Sequence, residues 1–405
     1  MANNWAQFTL EQLCTLITDG KHGDCENQKN SGFYFLSVKD IVDDRIFYEN
    51  ARQITEQDFL ETHRRTNLEP GDILFTNTGT IGRMAIVRED TKTRQSTFQK
   101  SVAILKARRD AIDPYFLYYL LKFENSRLSE FAAGTTQKNL LLKDLRSFAV
   151  HVPELPQQLA LASILRAFDA KIELNRRMNE TLESITHQLF TEIFPDILRA
   201  RSDPDAVPLT HIVLISREAL NPDVEPTEIF NHYSIPAFDK QRLPVREMGE
   251  QIKSNKFIVH ADCVLLSKLN PRIPRVWLPA VTGNMRSICS TEFLVLRPRP
   301  GYSREFIYGL CSSATFQEIF VTMVTGTSGS HQRVKPEYLE KMAIPSPDLK
   351  KVERFTKLVQ PLYARVAHNL QENSTLAVVR DTLLPKLISG EIRIKQAEKL
   401  IEANA

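Results

Sequence analysis

Residues 161–189 read LASILRAFDAKIELNRRMNETLESITHQL, and residues 355–383 read FTKLVQPLYARVAHNLQENSTLAVVRDTL. At a constant offset of 194, Leu161, Ile164, Leu165, Phe168, Ile172, Leu182, Ile185 and Leu189 fall on Phe355, Leu358, Val359, Leu362, Val366, Leu376, Val379 and Leu383. The one polar interruption, Asn175, falls on Asn369. A solenoid repeats every few tens of residues, so this period signals something larger: a whole domain duplicated together with the helix that follows it. Two copies of one reader suit a target that has two halves.

The helices themselves carry a pattern. Leu161, Phe168, Asn175, Leu182 and Leu189 occupy every seventh position, and Ile164, Met178 and Ile185 lie three residues beyond members of that set. This a/d seam predicts a coiled coil, and a polar residue at one a position specifies register at some cost in stability. Asn175 and Asn369 are therefore expected to meet, or nearly meet, as the helices pack antiparallel. Each helix of about 33 residues would span roughly 50 Å at 1.5 Å per residue, enough to hold two globular domains apart.

Outward from the helices, each half repeats one plan. Residues 1–150 are strand-rich, with β-type runs at 33–38, 73–76 and 102–105 between Gly and Pro turns, and an apolar stripe from Pro114 to about Phe131 that predicts a helix. Phe116, Tyr118 and Leu120 match Phe306, Tyr308 and Leu310 at offset 190, as Asp72 matches Asp262. Gly134-Thr135-Thr136 matches Gly326-Thr327-Ser328 at 192, and Ala149-Val150 matches Ala343-Ile344 at 194. Pro153 and Pro156 open the first long helix, and Pro345-Ser346-Pro347 opens the second. Residues 199–208 read as a linker. The N-terminal parts, about 1–70 and 205–260, diverge, as they would if a shared frame carried different recognition surfaces.

Composition narrows the class. A chain of 405 residues with 42% hydrophobic and 25% charged residues is an ordinary globular protein of two or three domains. No apolar run approaches the ~18 residues of a membrane span. The opening Met1-Ala2-Asn3-Asn4-Trp5 lacks the features of a signal peptide. Five scattered cysteines form neither a zinc pattern nor an even disulfide framework, so a cytoplasmic setting is expected. The net charge of +3 is uninformative, but residues 240–286 hold nine Lys/Arg against Glu247, Glu250 and Asp262. Such a window is either a solvated basic face or a phosphate-tracking surface.

Catalytic signatures are incomplete. Thr78-Gly79-Thr80-Ile81-Gly82 is a glycine turn without the lysine of a phosphate loop. Asp113-Pro114-Tyr115-Phe116 lacks the second proline of the amino-methyltransferase motif. The histidines form no metal-spaced pair, and His22 and His331 read as surface hydrogen-bonding groups.

Several stretches resemble the specificity (S) subunit of Type I restriction–modification enzymes. They are Ile17-Thr18-Asp19-Gly20-Lys21-His22, Pro70-Gly71-Asp72-Ile73-Leu74, Gly79-Thr80-Ile81-Gly82, and Gly134 to Asn139 leading into Val152-Pro153-Glu154-Leu155-Pro156. The most specific are residues 169–183 and 380–392. The resemblance covers almost the whole chain but falters at 205–300, where the sequence offers no counterpart of the Asp-Gly-x-His stretch or the Gly-x-x-Gly turn.

The resemblance implies an α+β fold with an internal pseudo-two-fold repeat. Target-recognition domain 1 covers 1–152, spacer helix 1 covers 153–198, domain 2 covers 199–346, spacer helix 2 covers 347–392, and 393–405 is a tail. It implies a non-catalytic subunit that reads a bipartite, asymmetric site in double-stranded DNA across an antiparallel coiled coil. Two methylation subunits, which carry S-adenosylmethionine, and restriction/translocase subunits would assemble on it; no cofactor of its own and no membrane are implied. The competing reading is a coiled-coil scaffold or adaptor of a related DNA-modification or phage-defence system.

Side chains suited to base edges and phosphates are Arg, Lys, Asn, Gln, Ser and Thr. In the first domain these are Lys21, His22, Thr76, Asn77, Thr78, Thr80, Arg83, Thr135, Thr136, Gln137, Lys138 and Asn139. In the second they are Lys268, Asn270, Arg272, Arg275, Arg286, Thr327, Ser328, Ser330, His331, Gln332 and Arg333.

Overall fold

The structure is a computed structural model, and it describes residues 5–49, 51–132, 139–197, 206–281, 283–325 and 332–392, with 394 and 396. The chain divides into two compact units. One comprises residues 1–170 and 376–405, the other 171–375.

In the first unit, Cys14–Asp19, Val102–Ala107, Ile73–Thr76 and Met84–Ile86 form an antiparallel sheet in that order. All four residues of Ile73–Thr76 are buried, as a strand covered on both faces must be. Ala6–Thr9 pairs with Ala149–Val152, so the two ends of the domain close on each other. A second sheet sets Tyr34–Leu36 antiparallel to Arg52–Gln53 and parallel to Ser96–Phe98. Asp113 caps the following helix: its Oδ1 accepts the amides of Tyr115 and Phe116 at 3.0 and 2.9 Å, and Pro114 sits in the first turn. The single helix expected to about Phe131 is two, Pro114–Phe123 and Asn125–Glu130. Glu124 (φ −81°, ψ 2°) leaves the helical region between them.

The second unit repeats this frame. Val213–Ser216, Phe293–Pro298, Val264–Ser267 and Val276–Trp277 form the equivalent four-stranded sheet. Ala206–Pro208 pairs with Ala343–Pro345, so the last residues of the expected linker are a strand. One ion pair recurs in kind, buried in the first unit and half-exposed in the second. Asp72 pairs with Lys106 at 2.6 Å, and Asp262 pairs with Arg297 at 3.1 Å. The smaller sheet has diverged into five strands, with Ile229–Tyr233 parallel to Ser287–Cys289 and antiparallel to Val245–Met248. Ser303 replaces Asp113 as the cap of the helix Arg304–Ser312.

The two long helices are Leu155–Ile193 and Leu349–Ile388. In the first unit Leu161, Leu165 and Phe168 share one core with Leu383, Leu384 and Leu387 and with Phe116 and Leu120 of the helix Pro114–Phe123. In the second, Phe190 and Phe194 pack on Phe306 and Phe355 at centroid distances of 5.1–5.9 Å. The helices run antiparallel within that unit: Asn175 bonds to Glu372 and Asn373, and Asn179 to Asn369.

Of two sequence expectations about the seam, one is sharpened and one corrected. Asn175 and Asn369 do not bond each other; each reaches one turn past the other, because side chains across an antiparallel seam interleave rather than oppose. Ile185 and Val379, expected in the seam, are 40% and 37% exposed, while Thr186 and Arg380 are buried instead. The buried positions Phe168, Asn179 and Phe190 recur every 11 residues, close to the natural pitch of a helix, so a strict heptad drifts off the contact.

Candidate nucleic-acid interface

Each unit carries a hairpin whose tip is exposed and whose base is fixed. In the first, Ile73–Thr76 and Met84–Ile86 are joined by residues 77–83. Gly79 (φ +78°) and Gly82 (φ +87°) make the turn. Thr76 locks it from beneath: buried completely, its Oγ1 donates to the Thr80 carbonyl at 2.6 Å and accepts the Arg83 amide at 2.9 Å. Asn77 is also buried, and its carbonyl accepts the Leu140 amide. Thr78 Oγ1 donates to Asn139 Oδ1 at 3.0 Å, and the two residues pair as a β-bridge. Gly79, Thr80 and Arg83 are exposed. Arg83 also donates to the Val38 and Ile41 carbonyls at 3.3 and 3.4 Å.

The second hairpin joins Val264–Ser267 to Val276–Trp277 through residues 268–275. The Ser267 amide donates to the Arg275 carbonyl as Thr76 does to Arg83. Asn270 takes the left-handed conformation (φ +47°), and its carbonyl accepts the Ile273 amide at 2.9 Å. Leu269 bridges Arg333, as Thr78 bridges Asn139. Arg272, Ile273 and Pro274 form the exposed tip, and Arg272 has no ion pair among the described residues. Lys268 is half-buried, and Gln332 accepts the Asn270 amide through its carbonyl.

Other candidates are occupied. Lys21 Nζ pairs with Asp58 at 2.6 Å and Glu61 at 3.1 Å, and the Asp58 contact raises its pKa. His22 is mostly exposed and contacts Asp19 Oδ2 at 3.0 Å. Arg275 is buried and grips Asp239 with two nitrogens at 2.6 and 2.8 Å. Arg286 lies between Glu225 and Glu228, with its guanidinium over the Phe230 ring. Arg333 forms a two-pronged pair with Glu292 at 3.0 Å. Thr76, Asn77, Arg275 and Arg286 thus make contacts within the fold: Thr76 inside its own turn, Asn77 to Leu140, and the two arginines to carboxylates distant in sequence. Thr135, Thr136, Gln137, Lys138, Thr327, Ser328, Ser330 and His331 lie outside the described residues.

The basic window 240–286 is neutralised in part by carboxylates outside it. Arg242 pairs with Glu183, Lys253 with Asp223, Arg275 with Asp239 and Arg286 with Glu225 and Glu228. Lys240, Arg246, Lys256, Lys268 and Arg272 have no ion pair among the described residues, Lys256 bonding instead to Ser254.

Residues 2–184 match the model of the Type I restriction modification DNA specificity domain. The Type I restriction enzyme MjaIX specificity subunit of Methanocaldococcus jannaschii is 23% identical over 391 residues, 89% of this chain and 87% of that one. The HindI specificity subunit of Haemophilus influenzae is 21% identical over 471 residues, 96% of this chain and all of that one. The chain is thus similar, over nearly its whole length, to Type I restriction–modification specificity subunits. The crystal structure of the S subunit from M. genitalium shares its fold, with a TM-score of 0.57 at 16% identity over 95% of this chain and 96% of that one.

Within this shared fold, one site feature escaped the sequence. The second domain does have a counterpart of the Gly-x-x-Gly turn, the segment Asn270-Pro271-Arg272-Ile273. Asn, which tolerates positive φ better than other non-glycine residues, stands where Gly79 stands in the first. The signal available in the sequence was the offset itself, since Thr78 and Gly79 fall on Leu269 and Asn270 at 191. Among the described residues no three His, Cys, Asp or Glu side chains cluster as a metal site, and no helix is long and apolar enough to cross a membrane.

Proposed function

We propose that this chain reads a bipartite, asymmetric DNA site, each recognition domain presenting its hairpin tip to one half. The observation that carries this is the pair of equivalent hairpins, 77–83 and 268–275, fixed the same way at the base and different at the tip. Same frame and different tip is what two unlike half-sites require; a homodimer of one reader would see a palindrome. The exposed groups at the tips are Thr80 and Arg83 in one domain and Arg272 in the other, with half-buried Lys268 beside it. Arginine suits guanine edges and phosphates, and threonine suits base edges.

In this reading the chain contributes recognition and assembly. Two methylation subunits dock on it and carry S-adenosylmethionine and methyl transfer, and restriction/translocase subunits join for cleavage. The test is single-molecule sequencing of adenine methylation in DNA from cells that express the chain with its methylation subunit. A split motif, altered in one half when residues 1–150 are exchanged, supports the proposal. An unmethylated genome from an assembled, expressed pair overturns it.

A further inference from the structure

The turn between Ile41–Val42 and Arg45–Ile46 is built from Asp43 (φ +47°) and Asp44 (φ +64°). Two consecutive left-handed residues suit Asn-Gly far better than Asp-Asp, so something other than local preference holds the turn. The Asp44 carboxylate accepts Lys122 Nζ at 2.5 Å and lies 3.6 Å from Arg380 Nη1. Arg380 belongs to the second long helix, and its side chain is only 10% exposed. There it also pairs with Asp169 of the first long helix at 2.5 Å and with Asp381 at 2.8 Å, while Tyr119 Oη donates to Asp169. On the other side of the same small hairpin, Arg83 of the recognition tip donates to the Ile41 carbonyl.

The result is a continuous chain of contacts inside the first unit. It runs from Arg380 on the helix, through Asp44, to strand Ile41–Val42, and on to Arg83 at the recognition tip. The ionic contacts at the Arg380 end are partly shielded from water and so stronger than surface pairs, and the Arg83 end is a guanidinium–carbonyl contact at 3.4 Å. The second unit lacks an Asp169–Arg380 pair but has a helix link of its own, from Arg242 (φ +53°) to Glu183 of the first long helix. The repeat places Tyr363 where Asp169 stands and Thr186 where Arg380 stands, and Tyr363 packs edge-on against Tyr308 at 5.0 Å.

We infer that Asp44 is a positioning residue for DNA reading by the first domain, setting the attitude of its recognition hairpin from the second long helix. The inference rests on the proposed DNA reading. It predicts an effect confined to one domain, which general destabilisation would not give.

The test compares the full chain with Asp44→Asn, which tolerates the left-handed backbone but lacks the charge, and with Asp44→Gly, which relieves the turn but also lacks it. Amide hydrogen exchange at 41–46 and 76–84 is expected to quicken roughly tenfold in both variants, with 264–277 unchanged. In selection from random duplexes with the methylation subunit bound, both variants should keep base preference in one half-site and lose it in the other. Unchanged exchange and selection, equal losses in both hairpins and both half-sites, or wild-type behaviour of Asp44→Gly alone would overturn the inference. A wild-type complex that selects no motif overturns the DNA reading beneath it, whereas the exchange result judges the contact path separately.

Discussion

Asn369 donates its side-chain amide to Asn179 Oδ1 at 2.7 Å, and one turn along the seam Asn175 donates to Asn373 Oδ1 at 3.0 Å. A shift of 194 converts either pair into the other, so the duplication has kept a contact and not merely two residues. Asn175 and Asn369 are completely buried. Such a layer favours the register in which each of these buried amides meets an amide oxygen across the seam.

Asn369→Leu should therefore destabilise the chain by about 1–3 kcal/mol, because it strands the buried Asn179 side chain. Asn369→Leu with Asn179→Leu should recover much of that loss, since apolar groups can replace a buried polar pair at little cost. Denaturant melts measure both. The double variant should also lose register specificity, detected as additional cysteine cross-links across the seam. A single variant as stable as wild type would show that the amide layer does not hold the helices.

Arg272 and Arg286 were indistinguishable in the sequence, and the structure separates them. Arg272 stands exposed at a hairpin tip, whereas Arg286 is held by Glu225 and Glu228. Arg272→Ala should weaken DNA binding and lower the salt-dependence slope by about one, with the melting temperature unchanged. Arg286→Ala should leave that slope as it is. Titrations of both variants at several salt concentrations decide the matter, and equal slopes for wild type and Arg272→Ala would remove Arg272 from the interface.

Gly20, in the Asp-Gly-x-His stretch, is a packing requirement. A Cβ there would sit 1.9 Å from the Phe98 carbonyl oxygen, and the next residue's amide already donates to that oxygen at 2.7 Å. Gly20→Ala must push two backbone segments apart and should cost about 1–3 kcal/mol or more. Gly23→Ala has open space and only an unfavourable φ of +133°, so about 1 kcal/mol is expected. Comparison of the two midpoints in urea checks the ranking, and an unperturbed Gly20→Ala would contradict it.

The legible part of this protein was its periodic part. Apolar spacing gave both long helices, and the offset gave the duplicated frame, down to Asp72 and Asp262. The illegible part was electrostatic pairing over distance. Arg275 meets Asp239 36 residues away, and Arg286 meets Glu228 58 residues away, so a charge window of 47 residues counted cations whose partners lay outside it. The second hairpin tip was hidden for a different reason: a left-handed turn position accepts Asn as well as Gly, and only the fold shows that Asn270 does what Gly79 does.

Acid should weaken this fold through buried imidazoles. His63 is partly buried, stacked on Phe59 at 4.8 Å, and its Nδ1 has no hydrogen-bond partner among the described residues. Burial first, and the Lys106 charge second, lower its pKa below the usual 6.5; burial shifts His187 and His232 the same way. Above about pH 7 folded and unfolded chains are both neutral at these sites, so their full contribution is present. As pH falls through 6.5 the unfolded chain takes up the proton first, and stability is lost until the folded value is passed. His63→Phe keeps the ring stack and removes one titration. The melting temperature should therefore fall less between pH 7.5 and 5.5 in His63→Phe than in wild type, and an identical fall in both would show that His63 does not contribute.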